Sequence, residues 1–423
     1  MTIKVLFSFG LGRLHFVQAV TSLIPHDVEV EVVQGVVLPK RLLAVFVRMI
    51  PPTSSIRGVF FGLSKRNLGM LAARMNRSLP APEVLQFILL RLARAGLMSD
   101  DRARQIAWWC FGASSSLLVG NHDIVHIRAG AGSGILKEAK VRGIPRIVDF
   151  SIAHPAYLKR VLAPEFAKHG QPFNLDPGRG FWRMCLQDLE EADRILVNSE
   201  FVRSTMISEG ICPEKLSVAY LGVRRDFLNL KRDYARGASL NLLFTGNFGL
   251  RKGAQYLIPA LEQLVEKGMD LNLTVLGSVQ ESRELISRSS IADRITAPGF
   301  LPQDELKEYL AGSDIYVFPS LAEGCASSGM EAMAAGLPIV ATEESGLPIV
   351  SGENGIIVES RSSEGIANAI HRLATDGECR RRLGTAASFD IRENYTWDEY
   401  ARNVSAIYRT MSNSRTTKML FSQ

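Results

Sequence analysis

Two stretches in the second half of the chain place charged side chains beside glycines, each directly after a predicted strand. The first runs from Gly246 through Asn247 to Gly253 and brings Arg251 and Lys252 to the start of a predicted helix. Glycine lets a backbone approach a ligand closely, and two cations beside a helix N-terminus suit a diphosphate. The alternative is a strand-to-helix loop whose arginine and lysine only face water, so this stretch alone leaves both functions open.

The second stretch carries two glutamates separated by seven residues. Glu323 lies in a predicted loop next to Gly324, whose flexibility would let the carboxylate reach over a ligand. Glu331 is predicted in the first turn of the helix that follows. Because Ser328-x-x-Glu331 is also the pattern of a capping box, the alternative is that Glu331 satisfies backbone donors at the start of that helix.

These stretches need a framework that positions them, and short β-branched runs alternate with helical patterns along the chain. Such alternation is typical of βαβ units and parallel sheets. Strands are predicted over residues 3–9, 28–33, 123–127, 146–150, 194–198, 215–220, 240–245, 271–276, 295–296, 315–319, 339–341 and 356–358. The sequence therefore predicts an α/β protein with two facing Rossmann-like domains, each built on a doubly wound parallel sheet.

A polar segment at residues 229–239 separates the two series of strands. We predict an N-terminal domain over residues 1–230, a C-terminal domain over residues 238–395, and a helix over residues 396–411 that crosses back to the N-terminal domain. In open parallel sheets, ligands bind at the carboxyl ends of the strands. Because both charged stretches follow strands, the functional site is expected in a cleft between the domains.

Length and composition exclude several classes of protein. With 423 residues, 46% hydrophobic and 22% charged, the chain is long enough for two or three domains and too apolar for a disordered protein. No apolar run approaches the about 20 residues of a membrane-spanning helix, and the N-terminus lacks a signal-peptide pattern. The five cysteines are far apart and form no Cys-x-x-Cys pair, which argues against a disulfide framework or a zinc site. A cytoplasmic protein is expected.

The formal net charge of +6 is concentrated in one part of the chain. Between Lys40 and Arg104, twelve lysines and arginines stand against three acidic residues. Residues 40–117 are predicted to form helices with basic faces and interleaved aromatic residues, broken at 51–52 and 80–82. Such helices are typical of an anionic membrane surface; the alternative is that their apolar faces pack on the N-terminal sheet while the arginines are solvated. No nucleic-acid-binding motif accompanies the charge.

Other site chemistries lack their sequence patterns. No Asp-x-Asp follows a predicted strand, so we expect neither a metal nor a cofactor, and lysine and helix dipoles would act on the diphosphate instead. Gly10-x-Gly12 lacks the third glycine of a dinucleotide fingerprint, because His15 stands there. The segment from Gly130 to Gly134 resembles a phosphate loop in composition only, and we predict a flexible loop that lines the cleft.

The order of motifs over residues 240–400 resembles a known family, the retaining glycosyltransferases of the GT-B type, family 4 (group 1). The matching motifs are Gly246…Lys252-Gly253, Pro298-Gly-Phe300-Leu-Pro302 with Glu305-Leu306, Ser313-Asp314-Ile-Tyr-Val-Phe-Pro319-Ser320, Glu323-x7-Glu331 and Gly352-Glu-Asn354-Gly355. In the N-terminal half, the resemblance rests on Glu191-Ala-Asp193-Arg-Ile-Leu-Val-Asn198-Ser199-Glu200-Phe201 and the glycine-rich first turn. The family has two facing Rossmann-like domains and uses nucleotide-sugar donors.

The resemblance implies how the donor would be held. Lys252 would clamp the donor diphosphate near Gly246 and neutralise the leaving group. The family often has arginine directly after this glycine, whereas this chain has Asn247, and Arg251 is the cation available to compensate. The backbone near Phe300 and Leu301 would hold the nucleotide base.

The resemblance also implies which residues would hold the sugars of the donor. Glu331 would accept hydrogen bonds from the ribose hydroxyls. The transferred sugar would be held by Glu323 and by the loop after it, which contains Gly324, Ser327 and Ser328.

On the N-terminal side, Gly10 and Gly12 would let the first loop approach the phosphates. In the family, a histidine after an N-terminal strand lies over the reacting sugar, and His154 stands at that place, where it would position the sugar and polarise the site. The alternative is a structural hydrogen bond from a histidine that precedes Pro155. His126 is predicted to be a buried histidine at a strand end.

The predicted function is metal-independent transfer of a sugar, with retention, from a nucleotide-diphosphate sugar to a saccharide or lipid-linked acceptor. The donor would sit on the C-terminal domain, and cell-surface polysaccharide or glycolipid synthesis is the expected context. An anionic membrane surface is an expected partner through residues 40–104, and nucleic acid is not. Two alternatives stay open: a sugar-nucleotide epimerase or hydrolase of the same fold, and a non-catalytic membrane-associated binding protein.

Overall fold

The structure, a computed structural model, describes residues 2–11, 16–36, 76–235 and 237–420, with residues 414–420 described by backbone alone. Its strands form two parallel sheets. The first contains β1 (Ile3–Ser8), β2 (Val28–Gln34), β3 (Asn76–Ser78), β4 (Ile124–Arg128), β5 (Arg146–Phe150), β6 (Arg194–Val197) and β7 (Leu216–Val218). The second contains β8 (Leu240–Thr245), β9 (Leu271–Leu276), β10 (Ile295–Thr296), β11 (Ile315–Phe318), β12 (Ile339–Thr342) and β13 (Ile356–Val358). The predicted α/β fold with two Rossmann-like sheets is confirmed.

Helices cover both sheets and connect their parallel strands. Around the first sheet lie α1 (Phe16–Leu23), α2 (Pro80–Arg94), α3 (Asp100–Ser116), α4 (Ile135–Val141), α5 (Pro155–Lys168), α6 (Gly180–Glu191) and α7 (Glu200–Ser208). Around the second lie α8 (Ala254–Glu266), α9 (Arg283–Arg288), α10 (Gln303–Gly312), α11 (Ser327–Ala335), α12 (Ser363–Thr375) and α13 (Gly377–Asn394). The last helix is α14 (Trp397–Leu420).

Strand order explains where each sheet has room for a ligand. The first sheet has the order β3-β2-β1-β4-β5-β6-β7 and the second the order β10-β9-β8-β11-β12-β13. All residues of β11 and β12 are buried, as expected for central parallel strands that helices cover on both faces. The order reverses between β1 and β4 and between β8 and β11, and such switch points open a crevice at the carboxyl ends of the strands.

The basic segment differs from the prediction of helices where the structure describes it. β3 is a strand, parallel to β2, and the Gln34 side chain donates a hydrogen bond of 3.1 Å to the Asn76 side chain. Three polar residues have no hydrophobic period, so this edge strand could not be recognised from sequence. The prolines at 80–82 begin α2 instead of breaking a helix, because the first turn needs no backbone N–H from them. Residues 40–75 lie outside the described residues.

The polar segment at residues 229–239 is attached to the second domain in its first half. Lys231 is buried, and its Nζ donates a hydrogen bond of 2.7 Å to the Ser313 carbonyl. The Tyr234 hydroxyl donates one of 2.7 Å to the Gly336 carbonyl. These contacts fix the chain at the point where it passes between the two sheets.

The last helix, α14, returns to the first sheet. Tyr400, Val404 and Tyr408 are buried in the core that β1, β2 and α1 form. The Tyr408 hydroxyl lies 2.7 Å from Nδ1 of His126, and burial lowers the pKa of that histidine to about 3. The prediction that His126 is buried is confirmed.

Candidate active site in the interdomain cleft

A cavity of about 460 Å³ lies between the carboxyl ends of the two sheets. Its C-terminal wall includes Arg251, Lys252, Glu323, Gly324, Ser327 and Ser328. Its N-terminal wall includes Arg128, Asp149, Ser151, Asn198, Phe181 and Trp182. The fold thus brings the two charged stretches of the sequence to one cavity and places polar side chains opposite them.

Two cations and one carboxylate meet at the C-terminal wall. Lys252 Nζ lies 3.0 Å from Glu323 Oε1, and Arg251 forms a second ion pair with the same carboxylate. The Arg251 guanidinium also donates a hydrogen bond of 2.9 Å to the Ala322 carbonyl. Burial lowers the pKa of Lys252, and the attraction of Glu323 partly offsets this effect. With two cations against one anion, this cluster keeps a positive charge for an anionic ligand.

Backbone geometry holds Lys252 in that position. Its short turn, Leu250–Lys252, ends at Gly253, which has a φ of +80°, and a Cβ there would overlap the Pro319 carbonyl oxygen. Gly246 has a φ of +113°, and a Cβ there would lie 3.3 Å from Lys252 Nζ. Asn247 is exposed and does not line the cavity. Arg251 is therefore the second cation of this wall.

The loop that carries Glu323 touches the N-terminal domain. The Ser199 hydroxyl donates a hydrogen bond of 2.6 Å to the Gly324 carbonyl. A Cβ on Gly324 would overlap the Ser151 carbonyl oxygen and lie 2.8 Å from Asn198 Nδ2. The cleft is therefore closed at this loop, and only glycine fits there.

The helix after this loop, α11, begins differently from the prediction. Ala326 occupies the N-cap without a side-chain cap, so the alternative of a capping box formed by Ser328 and Glu331 is wrong. A capping residue must precede the helix, whereas Ser328 is its second residue and its hydroxyl accepts a hydrogen bond of 3.1 Å from Tyr316. Glu331 lies in the second turn and not in the first.

Glu331 lines a second, smaller cavity of about 150 Å³. Ser327 lines both cavities, so the two adjoin at the start of α11. Burial raises the pKa of Glu331 to about 7, while Arg224 lowers it and Asp226 raises it. No residue in the described ranges forms a hydrogen bond or ion pair with this carboxylate. Glu331 is thus available to accept hydrogen bonds from a ligand.

Phe300 and Leu301 lie in the loop before α10. The Phe300 side chain is 75% exposed, and Leu301 packs against the core of the second domain. Neither residue lines a described cavity, but Gln303 lines the one that contains Glu331. The structure therefore places this loop beside that cavity and not in its wall.

Gly10 has a packing role in the N-terminal domain. Its φ is +69°, and a Cβ there would overlap the ring of Trp108. Gly10 does not line the cavity, and its positive φ and missing Cβ instead make room for the Trp108 ring. Gly12 lies outside the described residues.

His154 is buried at the start of α5, where it is the N-cap residue. Its Nδ1 accepts a hydrogen bond of 3.2 Å from the backbone N–H of Ala156, and the backbone N–H of His154 donates one of 3.1 Å to the Thr205 hydroxyl. Burial lowers the pKa of the imidazole, and the ring does not line the cavity. The geometry shows the structural hydrogen bond, because Pro155 begins the helix and the preceding residue must cap it.

Replacing His154 by alanine is expected to lower the free energy of unfolding by about 1 kcal/mol, the usual cost of a lost N-cap. Chemical denaturation of the purified variant measures this change. His154→Asn, which restores a capping side chain, should recover most of the loss. An unchanged free energy of unfolding in His154→Ala would contradict the capping role.

The polar residues of the N-terminal wall were not identified from sequence. Arg128 ends β4, Asp149 lies near the end of β5, and Asn198 follows β6. The Ser151 hydroxyl donates a hydrogen bond of 2.6 Å to Asp149, whose pKa burial raises to about 6. Their shared signal is their position at the carboxyl ends of neighbouring parallel strands, where ligands bind.

The glycine-rich loop from Gly130 to Gly134 is not the flexible cleft loop that was predicted. The backbone N–H groups of Gly130 and Gly132 donate hydrogen bonds of 2.6 and 3.0 Å to one carboxylate oxygen of Asp188. Asp188 is buried, and burial raises its pKa to about 7 although these hydrogen bonds lower it. The loop is fixed because a carboxylate of α6 accepts hydrogen bonds from its backbone N–H groups. None of its glycines lines the cavity.

Comparison with known proteins identifies the second domain. Residues 239–376 match the family described as glycosyl transferases group 1. The second domain is a group 1 glycosyltransferase domain. The two facing Rossmann-like domains of the chain have the GT-B architecture.

Known relatives extend the similarity beyond that domain. An MMP alpha-(1->4)-mannosyltransferase from Mycolicibacterium hassiacum is 28% identical over 295 residues, which are 68% of this chain and 71% of that protein. The putative colanic acid biosynthesis glycosyltransferase WcaL from Salmonella typhimurium is 26% identical over 237 residues, 53% of this chain and 58% of that protein. The structure of Anabaena Alr3699/HepE in complex with UDP and glucose has a TM-score of 0.63, with 14% identity over 96% of this chain and 100% of that one.

Metal sites and membrane spans were also sought in the part of the chain that the structure describes. There, no group of three or more histidine, cysteine, aspartate or glutamate side chains is arranged to hold a metal ion. Within the same ranges, no helix combines the length and the hydropathy that crossing a bilayer requires.

Proposed function

We propose that this protein transfers a sugar from a nucleotide-diphosphate sugar to an acceptor hydroxyl, without a metal ion and with retention of configuration. The observation that carries the proposal is the convergence of Lys252, Arg251 and Glu323 on the cavity between the two sheets. A departing diphosphate accumulates negative charge, and preorganised cations in a partly desolvated site stabilise it. Two cations at one wall supply the charge that a divalent metal supplies elsewhere.

The donor binds along the C-terminal wall. Its diphosphate oxygens displace Glu323 as the partner of Lys252 and Arg251, which leaves that carboxylate to accept hydrogen bonds from the transferred sugar. The ribose hydroxyls donate to Glu331, and the base lies beside Phe300 and Leu301. These contacts follow the C-terminal wall from the cation pair in the first cavity to Glu331 in the second.

The acceptor approaches from the N-terminal wall. As the bond between the anomeric carbon and the diphosphate oxygen breaks, the acceptor oxygen forms a bond to that carbon on the same face. Because the new bond forms on the face that the diphosphate leaves, the configuration is retained, and the departing diphosphate takes the acceptor proton. The motif order over residues 240–400 supports this retaining course.

The names of the relatives support the biological context. One is a putative colanic acid biosynthesis glycosyltransferase and another a mannosyltransferase. We therefore propose a saccharide or lipid-linked acceptor and a role in cell-surface polysaccharide or glycolipid synthesis.

Thermal-shift screening against UDP-, GDP- and ADP-sugars, with and without EDTA, tests donor and metal together. Stabilisation by one nucleotide class, unchanged by EDTA, is expected; a strict metal requirement would contradict the proposal. NMR of the product then gives the anomeric configuration. Release of free sugar without transfer to any acceptor would favour the hydrolase or epimerase. Full cellular function of Glu323→Ala would favour a non-catalytic binding protein.

Nucleotide affinity is expected to increase between pH 6 and pH 8 because of Glu331. Its pKa of about 7 means that the carboxylate is mostly protonated at the lower pH and ionised at the higher one, and the ionised form accepts from both ribose hydroxyls. Isothermal titration calorimetry of the stabilising nucleoside diphosphate measures the dependence. Glu331→Gln cannot ionise and retains only the dependence from the diphosphate itself. Identical pH profiles for both proteins would contradict the ribose role.

We further propose that α2 rests on an anionic membrane surface. Val84, Phe87 and Ile88 are 52%, 50% and 49% exposed, and their spacing places them on one face of the helix. The Arg91 guanidinium lies 4.4 Å from the centre of the Phe87 ring, and Arg94 follows one turn later. An apolar stripe flanked by arginines matches the two requirements of such a surface.

Phe87→Glu is expected to weaken binding to vesicles that contain anionic lipid by about tenfold or more, because a buried phenylalanine contributes about 1.5–3 kcal/mol. Vesicle sedimentation measures the bound fraction. Val141→Glu is the matched control, since Val141 is 83% exposed on α4 and outside this stripe. Equal binding of the Phe87→Glu variant and the wild type would contradict the proposal.

A further inference from the structure

Arg128 is a cation of the cavity that forms no hydrogen bond or ion pair with a described side chain. It lines the N-terminal wall and is partly buried. Its guanidinium forms no hydrogen bond or ion pair with any residue of the described ranges, and its Cζ lies 5.2 Å from the centre of the Trp108 ring. Asp149 is near enough to attract it electrostatically but accepts its hydrogen bond from Ser151.

An unpaired arginine in a partly desolvated wall has a free-energy cost that a ligand can offset. Burial lowers the pKa of Arg128, yet a guanidinium keeps its proton in proteins. Its N–H groups form a rigid planar fork whose geometry matches two oxygens of a phosphate or carboxylate. The charge and the donors of Arg128 are therefore both available to an oxyanion in the cavity.

The Arg128 guanidinium lies over a tryptophan ring that is itself held by packing. The Trp108 ring beneath it fits against Gly10, where a Cβ would collide with the ring. Trp108 also contacts Phe181 edge to face, with 5.1 Å between ring centres. A side chain that already rests on such a ring loses less entropy on binding than a freely rotating one, which favours a specific contact.

The position of Arg128 assigns it to the acceptor and not to the donor. Lys252 and Arg251, which are proposed to hold the donor diphosphate, lie on the opposite wall of the cavity. Beside Arg128, the N-terminal wall offers the amide of Asn198 and the indole of Trp182, groups that suit a sugar ring.

We propose that Arg128 binds an oxyanion, a phosphate or carboxylate group, that the acceptor carries. This inference rests on the proposed transferase function and specifies the chemical class of its acceptor. Two sources present that group: a sugar phosphate or uronic acid free in solution, and the diphosphate of a lipid-linked saccharide.

Titration of inorganic phosphate into the Lys252→Ala protein, followed by tryptophan fluorescence, tests the site without knowledge of the acceptor. Removing Lys252 weakens the donor-side anion site, where Arg251 remains, so a larger share of the remaining binding comes from the opposite wall. Arg128→Gln in this background is expected to weaken phosphate binding about tenfold, and Arg128→Lys less, because charge remains while the fork is lost. Arg183→Gln, an exposed arginine on α6, is the control. Equal affinities with and without Arg128 would overturn the proposal.

Transfer assays with the donor found by thermal shift separate the two sources. Glucose, glucose 6-phosphate and glucuronate serve as soluble acceptors, and a polyprenyl-diphosphate-linked saccharide in detergent serves as the lipid one. Arg128→Gln should raise the KM for the charged acceptor about tenfold and leave the donor KM within about twofold. Equal loss with charged and neutral acceptors, or a shifted donor KM, would overturn the proposal. A failure of the proposed function looks different, because no nucleotide would then stabilise the protein and no acceptor would be modified.

Discussion

Replacing Lys252 by methionine is expected to lower kcat/KM for sugar transfer by about 10²- to 10³-fold, the usual effect of removing one preorganised group that stabilises a developing anion. Methionine keeps most of the volume of the side chain, which lies over the Phe318 ring with 4.4 Å between Nζ and the ring centre. The charge is lost while the packing stays. Steady-state rates with the identified nucleotide sugar measure the effect.

Because of the ion-pair geometry, the effect of Lys252→Met can be attributed to the lost charge. In Lys252→Met, Glu323 keeps its ion pair with Arg251, so no buried carboxylate is left unpaired and the free energy of unfolding should change little. Lys267→Met, at the exposed end of α8, controls for loss of positive charge from the same domain. Arg251→Gln should have a smaller effect, because the Arg251 guanidinium also binds the Ala322 carbonyl. Wild-type rates in Lys252→Met would contradict diphosphate binding at this wall.

The framework of the second domain could be predicted because its signals are local. The strands at 240–245, 271–276, 295–296 and 356–358 have the predicted bounds, since short runs rich in apolar and β-branched residues, bounded by turns, indicate strands. The meeting of Lys252 and Glu323 follows from the same logic. Both residues come directly after neighbouring strands, β8 and β11, whose carboxyl ends lie side by side.

The roles that could not be predicted depend on partners distant in sequence. His154 has the sequence position of a site residue, but which atoms surround its ring is decided by the packing of α5 and α7. A glycine at position 10 allows the close approach of either a phosphate or a tryptophan ring, and the sequence does not distinguish the two. Arg128 is one of many arginines in the sequence, and only the three-dimensional structure shows that no described carboxylate forms a hydrogen bond or ion pair with it.

Gly324→Ala is expected to open the cleft and to lower kcat/KM by about 100-fold or more, because misplacement of reacting groups by about 1 Å already costs that much. The substitution adds one methyl group that would overlap the Ser151 carbonyl oxygen across the cleft. Gly324 is not among the glycines with positive φ, so alanine fits its own backbone conformation without strain. The collision is therefore with the other domain alone.

A second contact between the domains determines how they would move apart in Gly324→Ala. At the same interface, Glu165 of α5 accepts hydrogen bonds of 2.8 Å from both Arg361 and the Tyr256 hydroxyl. If that contact holds, the domains of Gly324→Ala pivot about it, and small-angle X-ray scattering should report a larger radius of gyration with unchanged circular dichroism.

Gly312→Ala is the matched control for this experiment, because nothing lies within 4 Å of a Cβ at Gly312. It should leave both the scattering and the rate unchanged. Wild-type scattering with wild-type activity in Gly324→Ala would mean that catalysis does not need the observed contact between Gly324 and Ser151. Reduced activity without a change in scattering would place the effect in the sugar-binding loop itself, since Glu323 then loses its position while the domains keep theirs.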